Sequence, residues 1–158
     1  MLGRVLGVLW RGAPKSLRRW SVRLIQPRFT VSAGGVIVDE RGRVLLLKHV
    51  FRVGSGWGIP GGFIEEGEQP VEALRRELLE EVGLELERAE IAFVRTLKRP
   101  KHVEIIFRCR PRGPEAAPRS VEINRASWFA IDALPQELDR DQRRLIERAL
   151  GNGAKTPD

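Results

Sequence analysis

The sequence predicts an α/β fold in which a mixed sheet lies between helices. Three observations point to it. Short apolar or alternating runs recur along the chain, one glutamate-rich segment has helical spacing, and a second helical segment follows near the end. At 158 residues the chain is read as one domain, long enough for a real core. A hydrophobic content of 42% with 31% charged residues belongs to a soluble globular protein. No apolar run approaches the ~18 residues that span a bilayer.

Residues 1–28 read as a basic amphipathic arm. They hold Arg4, Arg11, Lys15, Arg18, Arg19, Arg23 and Arg28 and no acid, while the other 130 residues balance at 21 basic and 21 acidic. The whole formal excess of +7 therefore lies in the arm. Leu17, Trp20, Leu24 and Ile25 make an apolar stripe, with Arg18, Arg19 and Arg23 off it. Three readings compete. The stripe packs on the domain, lies on a membrane surface, or the arm binds RNA or DNA. Arginine supplies 23 of the 28 basic residues, so a general compositional bias dilutes what any single arginine says. The apolar run at residues 5–10 is short for a signal-peptide core, and an acid-free, Arg-rich start also fits a mitochondrial transit peptide. The cytoplasm is the expected location, with the transit reading open.

Residues 29–150 form the expected domain. Residues 29–38 (FTVSAGGVIV) read as a strand, interrupted at Gly34-Gly35 where another backbone or a ligand comes close. Residues 39–42 are a turn, and 43–50 (RVLLLKHV) a second strand, so a hairpin is expected. Residues 53–56 are a flexible loop leading into Trp57. A helix is expected over 70–82, then strands over 90–98 and 102–110 around Arg99-Pro100. Residues 111–120 (PRGPEAAPRS) read as a loop with no packing signal. A short strand at 127–131 precedes a helix over about 138–150, which starts after Pro135 and stops at Gly151. Residues 151–158 are an expected disordered tail. Cys109 shares a face with Val103, Ile105 and Phe107, which marks a buried core thiol. As the single cysteine it excludes internal disulfides and zinc clusters and favours a reducing compartment.

The chemistry concentrates in residues 57–84, WGIPGGFIEEGEQPVEALRRELLEEVGL. Val71, Leu74, Leu78 and Val82 make one apolar stripe. Pro70 suits a first helical turn and Gly83 the left-handed position beyond the last. Glu77, Glu80 and Glu81 then share a face at i, i+3 and i+4. Carboxylates that close repel and raise one another's pKa. Arg76 supplies one opposing charge; a hard divalent cation supplies two more, and oxygen ligands suit Mg²⁺. A bare acidic run is usually a solvated face. The preceding Pro60-Gly61-Gly62 turn favours the metal, because two glycines let backbone approach the helix start and turn a carbonyl toward it.

The spacing also carries a resemblance. Gly62, five residues, Glu68, seven residues, Arg76-Glu77-Leu78, Leu79, Glu80-Glu81, Val82, Gly83 and Leu84 resemble the Nudix hydrolase signature at every fixed position. The resemblance covers roughly residues 29–150. It implies an α/β/α sandwich and hydrolysis of a nucleoside diphosphate linked to another group. By motif position it implies Glu80 and Glu81 as ligands of Mg²⁺ (or Mn²⁺) together with the Gly61 carbonyl. Glu77 becomes the orienting or base carboxylate of the same metal set, and Glu68 an outer-sphere or second-metal ligand. Arg76 is structural and fixes a glutamate rotamer. A further acid is expected from outside the helix. EINRASWF resembles the family's Glu several residues before Trp-Phe, here Trp128-Phe129, so Glu122 is chosen for metal or base duty. Glu104, on the polar face of a strand, is the rival, with plain solvent exposure as its alternative. Trp57 either stacks on a nucleobase or packs. His49 and Arg52 flank Phe51; Arg52 is a candidate partner for a substrate phosphate, and edge-strand surface is the alternative for both. Nothing distinguishes His102.

The substrate is less legible. The chain has no tyrosine, against the diadenosine-polyphosphate branch, and neither the CoA-type nor the NADH-type pattern is evident. Pro100, 16 residues after Leu84, resembles the proline mark of ADP-ribose pyrophosphatases. ADP-ribose therefore leads nucleoside triphosphates, CDP-alcohols and sugar nucleotides. The basic arm keeps capped or triphosphorylated RNA in view, since attraction to a polyanion needs no sequence code. Two other classes stand beside the enzyme: a non-catalytic Nudix-like binding module, which would typically lack signature carboxylates that are all present here, and a membrane- or RNA-binding protein whose arm is the point. A homodimer is open.

Overall fold

A computed structural model describes residues 26–52 and 54–151, with Pro14 and Ser16 besides. The readings of the arm's helix and of the tail beyond Gly151 lie outside the described residues. In chain order come β1 (Thr30–Ile37), β2 (Arg43–His49), β3 (Trp57–Gly58), β4 (Gly61–Phe63), α1 (Pro70–Val82), β5 (Leu86–Leu97), β6 (His102–Pro111), β7 (Ile123–Ala130), a 3-10 turn (Ile131–Ala133) and α2 (Arg140–Ala149). They build two sheets. The first has the order β4-β1-β6-β5 and is mixed, with β1 parallel to β6 and its other pairs antiparallel. The second, β3-β2-β7, is antiparallel.

Two cores follow from the two-residue period of the strands. Ile37, Leu45, Leu47 and Phe107 point to one side and meet Ala73, Leu74, Leu78 and Val82 of α1. Val36, Val44, Leu46 and Ile106 point to the other and meet Leu145, Ile146 and Ala149 of α2. The helices thus sandwich the strands, as expected. No helix among the described residues is long and apolar enough to cross a membrane.

The expected hairpin of β1 and β2 does not form. The two strands join through one isolated bridge, Val38 to Val44, and then part into different sheets. Both edges of β1 are taken by β4 and β6, and both edges of β2 by β3 and β7. The turn itself is as local chemistry dictates. One Asp39 oxygen accepts the Arg41 and Arg43 N–H groups at 3.0 and 2.8 Å, and the other accepts Arg43 Nε at 2.8 Å. A turn sequence sets a change of direction, not a partner.

Gly34-Gly35 does not break β1, but other elements do come close there. A Cβ at Gly35 would lie 3.2 Å from the methyls of Leu74, and one at Gly34 3.0 Å from Ile59 Cδ1. Helix α1 has the expected bounds and ends on Gly83 at φ 70°, whose N–H bonds the Leu79 carbonyl at 3.1 Å. Strands β5 and β7 begin earlier than the sequence suggests, and α2 begins at Arg140, where the Asp139 side chain caps the Asp141 N–H at 2.8 Å. Cys109 is buried, and burial pushes its thiol up to about 12.

Candidate active site

The apolar stripe of α1 faces the core, which turns its glutamates toward the ends of β2 and β4. Their exposure differs, with Glu77 half-buried and Glu81 the most buried of the three. It is 6% exposed, while Glu80 beside it is open to solvent. Glu81 Oε2 is buried with no hydrogen-bond partner, and so is His49 Nε2. The two side chains stand 3.9 Å apart, Nδ1 to Oε1. Burial, then the charge of Arg52, pushes His49 down to about 4, so the pair is not an ion pair at neutral pH. Burial pushes Glu81 up to about 7, with Glu77 and Glu122 adding repulsion and the Gly61 N–H and Arg52 offsetting part of it. A register shift between Lys48 and His49 marks the strand end that carries His49.

Arg76 gathers the other carboxylates. Its Nε and Nη2 bond the two oxygens of Glu68 at 3.0 and 3.1 Å, and Nη1 bonds Glu77 at 2.9 Å. Nη2 also reaches the Phe63 carbonyl at 3.1 Å, and Glu80 lies 3.6 Å from Nη1. The hydrogen bonds from Arg76 hold Glu68 below the ordinary carboxylate range.

The Pro60-Gly61-Gly62 segment, expected as a turn, instead has its two glycines in β4, paired with Gly34 and Ala33 of β1, and there it has no room for side chains. Gly61 has φ 146°, and a Cβ there would lie 2.3 Å from the Ala33 carbonyl oxygen on β1. A Cβ on Gly62 would lie 2.1 Å from Glu77 Oε1, so the Glu77 carboxylate rests on bare backbone. Arg52 uses a third gap of this kind. A Cβ on Gly58 would lie 1.5 Å from Arg52 Nη1. Burial lowers the pKa of Arg52, while the charges of Glu81 and Glu104 raise it, which sets the guanidinium in the field of both.

Beside this cluster a cavity of about 220 Å³ opens between the first sheet and α2, with Arg52, Gly61, Gly62, Phe63, Glu104 and Gln142 on its walls. His102 closes one wall. It is buried, bonded to Thr30 Oγ1 at 2.7 Å and Ser32 Oγ at 2.8 Å, and meets the Phe63 ring edge-on at 5.7 Å.

The remaining candidates separate. Glu122 is exposed, and its carbonyl accepts the Val50 N–H at 2.8 Å, beside the end of β2. Glu104 is neither free nor fully exposed, because Arg95 pairs with it. Trp57, the candidate for stacking, is 6% exposed and packs edge-on against Phe129 at 5.2 Å in the α2-side core. Its ring is not available to a base. Three residues around the site carry no sequence signal: His102, Arg95 and Gln142. The helix position brings Gln142 to the cavity, and the register sets Arg95 behind it, opposite Glu104 of the cavity wall.

Among the described residues no three His, Cys, Asp or Glu side chains are already gathered as a metal cage. The donors still fit a hard divalent cation. Glu81 Oε2 is buried and unpartnered, the repulsion on it comes from two further carboxylates, and the three carboxylates offer the oxygens that such a cation takes.

Comparison with known proteins bears out the family resemblance. The NUDIX domain model matches residues 28–149. A MutT-like protein of Streptomyces ambofaciens is 34% identical over 71% of this chain and 71% of its own length. An NAD-capped RNA hydrolase, NudC, of Chromobacterium violaceum is 34% identical over 66% of this chain, which spans only 40% of that protein. The crystal structure of a MutT NUDIX hydrolase from Burkholderia pseudomallei superposes with a TM-score of 0.68 at 30% identity, covering 77% of this chain and 98% of that one. The glutamate-bearing helix therefore sits in the domain its spacing suggested: the chain belongs to the Nudix family and is a Nudix pyrophosphohydrolase.

Proposed function

We propose that the chain hydrolyses the pyrophosphate of a nucleoside diphosphate linked to another moiety, with Mg²⁺ or Mn²⁺, and that ADP-ribose-like compounds lead its substrates. The observation that carries the reading is the buried Glu81 carboxylate, unpartnered on one oxygen and crowded by Glu77 and Glu122. The Gly61 N–H and Arg52 offset only part of that crowding, and a bound cation would offset the rest. Glu77, Glu80, Glu81 and Glu122, with the Gly61 carbonyl, would hold it, and Glu68 acts through Arg76. When bound, the cation neutralises phosphate oxygens and lowers the pKa of a bound water.

The chain's own residues do the rest. Arg76 holds Glu77 over Gly62, which fixes that carboxylate without a search over rotamers. Arg52, across Gly58 and facing the acids, pairs with a substrate phosphate. Glu122, exposed on its loop, takes the proton of the attacking water. Neutral His49 shields Glu81 from solvent on the side of β2. The NudC relative acts on NAD-capped RNA, so an NAD-capped RNA end belongs in the test panel.

The test is phosphate or mononucleotide release with Mg²⁺ from ADP-ribose, NAD, nucleoside triphosphates, CDP-alcohols and capped RNA. Wild type and Glu81→Gln are run side by side. A substrate turned over by wild type and lost by about 100-fold or more in the variant supports the reading. Equal turnover in the two removes Glu81 from the chemistry.

A further inference from the structure

The first sheet ends beside the cavity in a cluster of exposed cations. The turn between β5 and β6 is Lys98-Arg99-Pro100-Lys101, and all four residues are exposed. The start of β1 lies against it. The Thr30 N–H bonds the Lys101 carbonyl at 3.1 Å, and Thr30 pairs in register with His102. Arg28, exposed and two residues before Thr30, therefore joins Lys98, Arg99 and Lys101 at one end of the sheet. Among the described residues none of these four cations is in an ion pair. Acids are set apart from them. Residues 1–38 and 91–103 contain none. Glu104 is held by Arg95, and Glu65 and Glu66 follow β4, on the edge of β1 away from β6. Residues 1–27, which precede the cluster in the chain, add six basic residues.

An exposed basic turn is usually plain solvated surface. Two observations separate this one from that default. The compositional bias of the chain is toward arginine, yet two of its five lysines fall in these four residues. The second observation is position. His102, next after Lys101, lines the cavity together with Ser32 and Glu104. One residue, about 3.3 Å of strand, separates the turn from the cavity wall. The cavity, at about 220 Å³, is below the ~300–1,000 Å³ of sites that enclose a whole small ligand, so it takes one part of a substrate. A chain of phosphates that continues out of the cavity on this side meets the turn next. A bilayer presents a plane of charge and has nothing to extend into the cavity. An RNA strand that begins with a 5′ phosphoanhydride has that group at its tip and one phosphate per nucleotide behind it.

We infer that Arg28 and the Lys98-Arg99-Pro100-Lys101 turn form a landing surface for the backbone of a single-stranded RNA whose 5′ end enters the neighbouring cavity. The inference rests on the hydrolase reading above and adds a substrate class to it, RNA ends beside free nucleotides. Contacts to phosphates position a strand without reading its bases, so binding here is independent of sequence and weakens with salt.

The full chain is assayed with Mg²⁺ on two sets of substrates that share an end: NAD against NAD-capped RNA, and ATP against 5′-triphosphorylated RNA beginning in A. Each RNA is 2, 6 or 12 nucleotides long. The kcat/KM on RNA is divided by that on the matching nucleotide, so a general change in activity cancels. In wild type this ratio is expected to rise about tenfold or more by 12 nucleotides at low salt. The triple variant Lys98→Ala, Arg99→Ala, Lys101→Ala is expected to lose most of the rise. Binding of a 12-nucleotide RNA with a 5′ hydroxyl, followed by fluorescence anisotropy, gives the slope of log K against log salt. That slope is expected to be about 2 smaller in the variant, at ~0.7 per phosphate for three cations. Should the triple variant not fold, Arg28→Ala with Lys101→Ala removes one cation from each segment. No rise with length in wild type, or the same rise in wild type and variant, overturns the inference. With nucleotides turned over by wild type and not by Glu81→Gln, the hydrolase reading then stands. Weaker binding of the variant to phosphatidylglycerol–phosphatidylcholine vesicles, with its RNA ratio as in wild type, assigns the turn to a lipid surface and also overturns the inference. A wild-type protein that turns over no member of the panel overturns both readings.

Discussion

Glu81 departs most from what its residue type prefers. A carboxylate 6% exposed with one bare oxygen is costly unless it is neutral or paired with a cation. Folding raises it from the ordinary 4.5 to about 7, so the native state keeps a proton that the unfolded chain gives up near 4.5. Its contribution to stability is complete below about 4.5 and is lost as pH rises toward 7. In EDTA, the Tm of wild type is expected to fall across that window and the Tm of Glu81→Gln to stay flatter. Parallel curves would mean that another group carries the dependence. Gly58 makes a second prediction. A methyl there would displace the end of a flexible arginine rather than backbone, so Gly58→Ala should move Tm by less than ~3 °C. It should still raise KM several-fold, because Arg52 leaves its place. Steady-state kinetics beside a thermal melt decide it; an unchanged KM would take Arg52 away from the phosphate.

At the scale of elements, the end of α1 explains how Glu81 is held. Helices leave their last carbonyls unbonded. Here the loop at 111–120 supplies donors: Arg119 N–H bonds the Glu81 carbonyl at 2.8 Å and Ala117 N–H the Val82 carbonyl at 3.2 Å. The Arg119 guanidinium lies over Gly83, where a Cβ would sit 2.0 Å from its central carbon, and Trp128 Nε1 bonds the Pro114 carbonyl at 2.9 Å. Gly83→Ala should therefore cost about 1–2 kcal/mol from the left-handed backbone alone. It should lower Tm by about 4 °C and turnover with it, because Arg119 must move. A melt and a rate within error of wild type would show that the loop does not hold the helix. That loop read as having no packing signal because backbone groups make its bonds, and these leave no trace in side-chain pattern. Helix α1 was legible because its stripe, its proline start and its glycine end are all local. Strands β3 and β4, with two and three residues, are too short to show a period. The β1–β2 hairpin was misread since the edges of both strands are taken by other strands, some of them far along the chain, as in the match of Ser32 with Glu104.

The whole molecule places the site where two cores meet. One core fixes α1 and its glutamates, the other fixes α2 and Gln142, and the Pro60-Gly61-Gly62 segment leading into β4 runs between them. The carboxylates could be named from spacing, while the cavity could not, since Gly61 on β4, His102 and Glu104 on β6, and Gln142 on α2 come from three distant stretches. Charge adds a separate expectation. The +7 excess lies in residues 1–28, so deleting residues 1–26 should leave nucleotide turnover intact and weaken binding to RNA or anionic vesicles. Loss of turnover on deletion would make the arm part of the catalytic unit. The most direct test of the metal claim uses no substrate. Mn²⁺ is titrated into the full chain and into Glu81→Gln, and the free ion is followed by its EPR signal. The account predicts saturable binding to wild type that is lost or weakened at least about tenfold in the variant. Equal binding by the two proteins, or none by wild type, would contradict it.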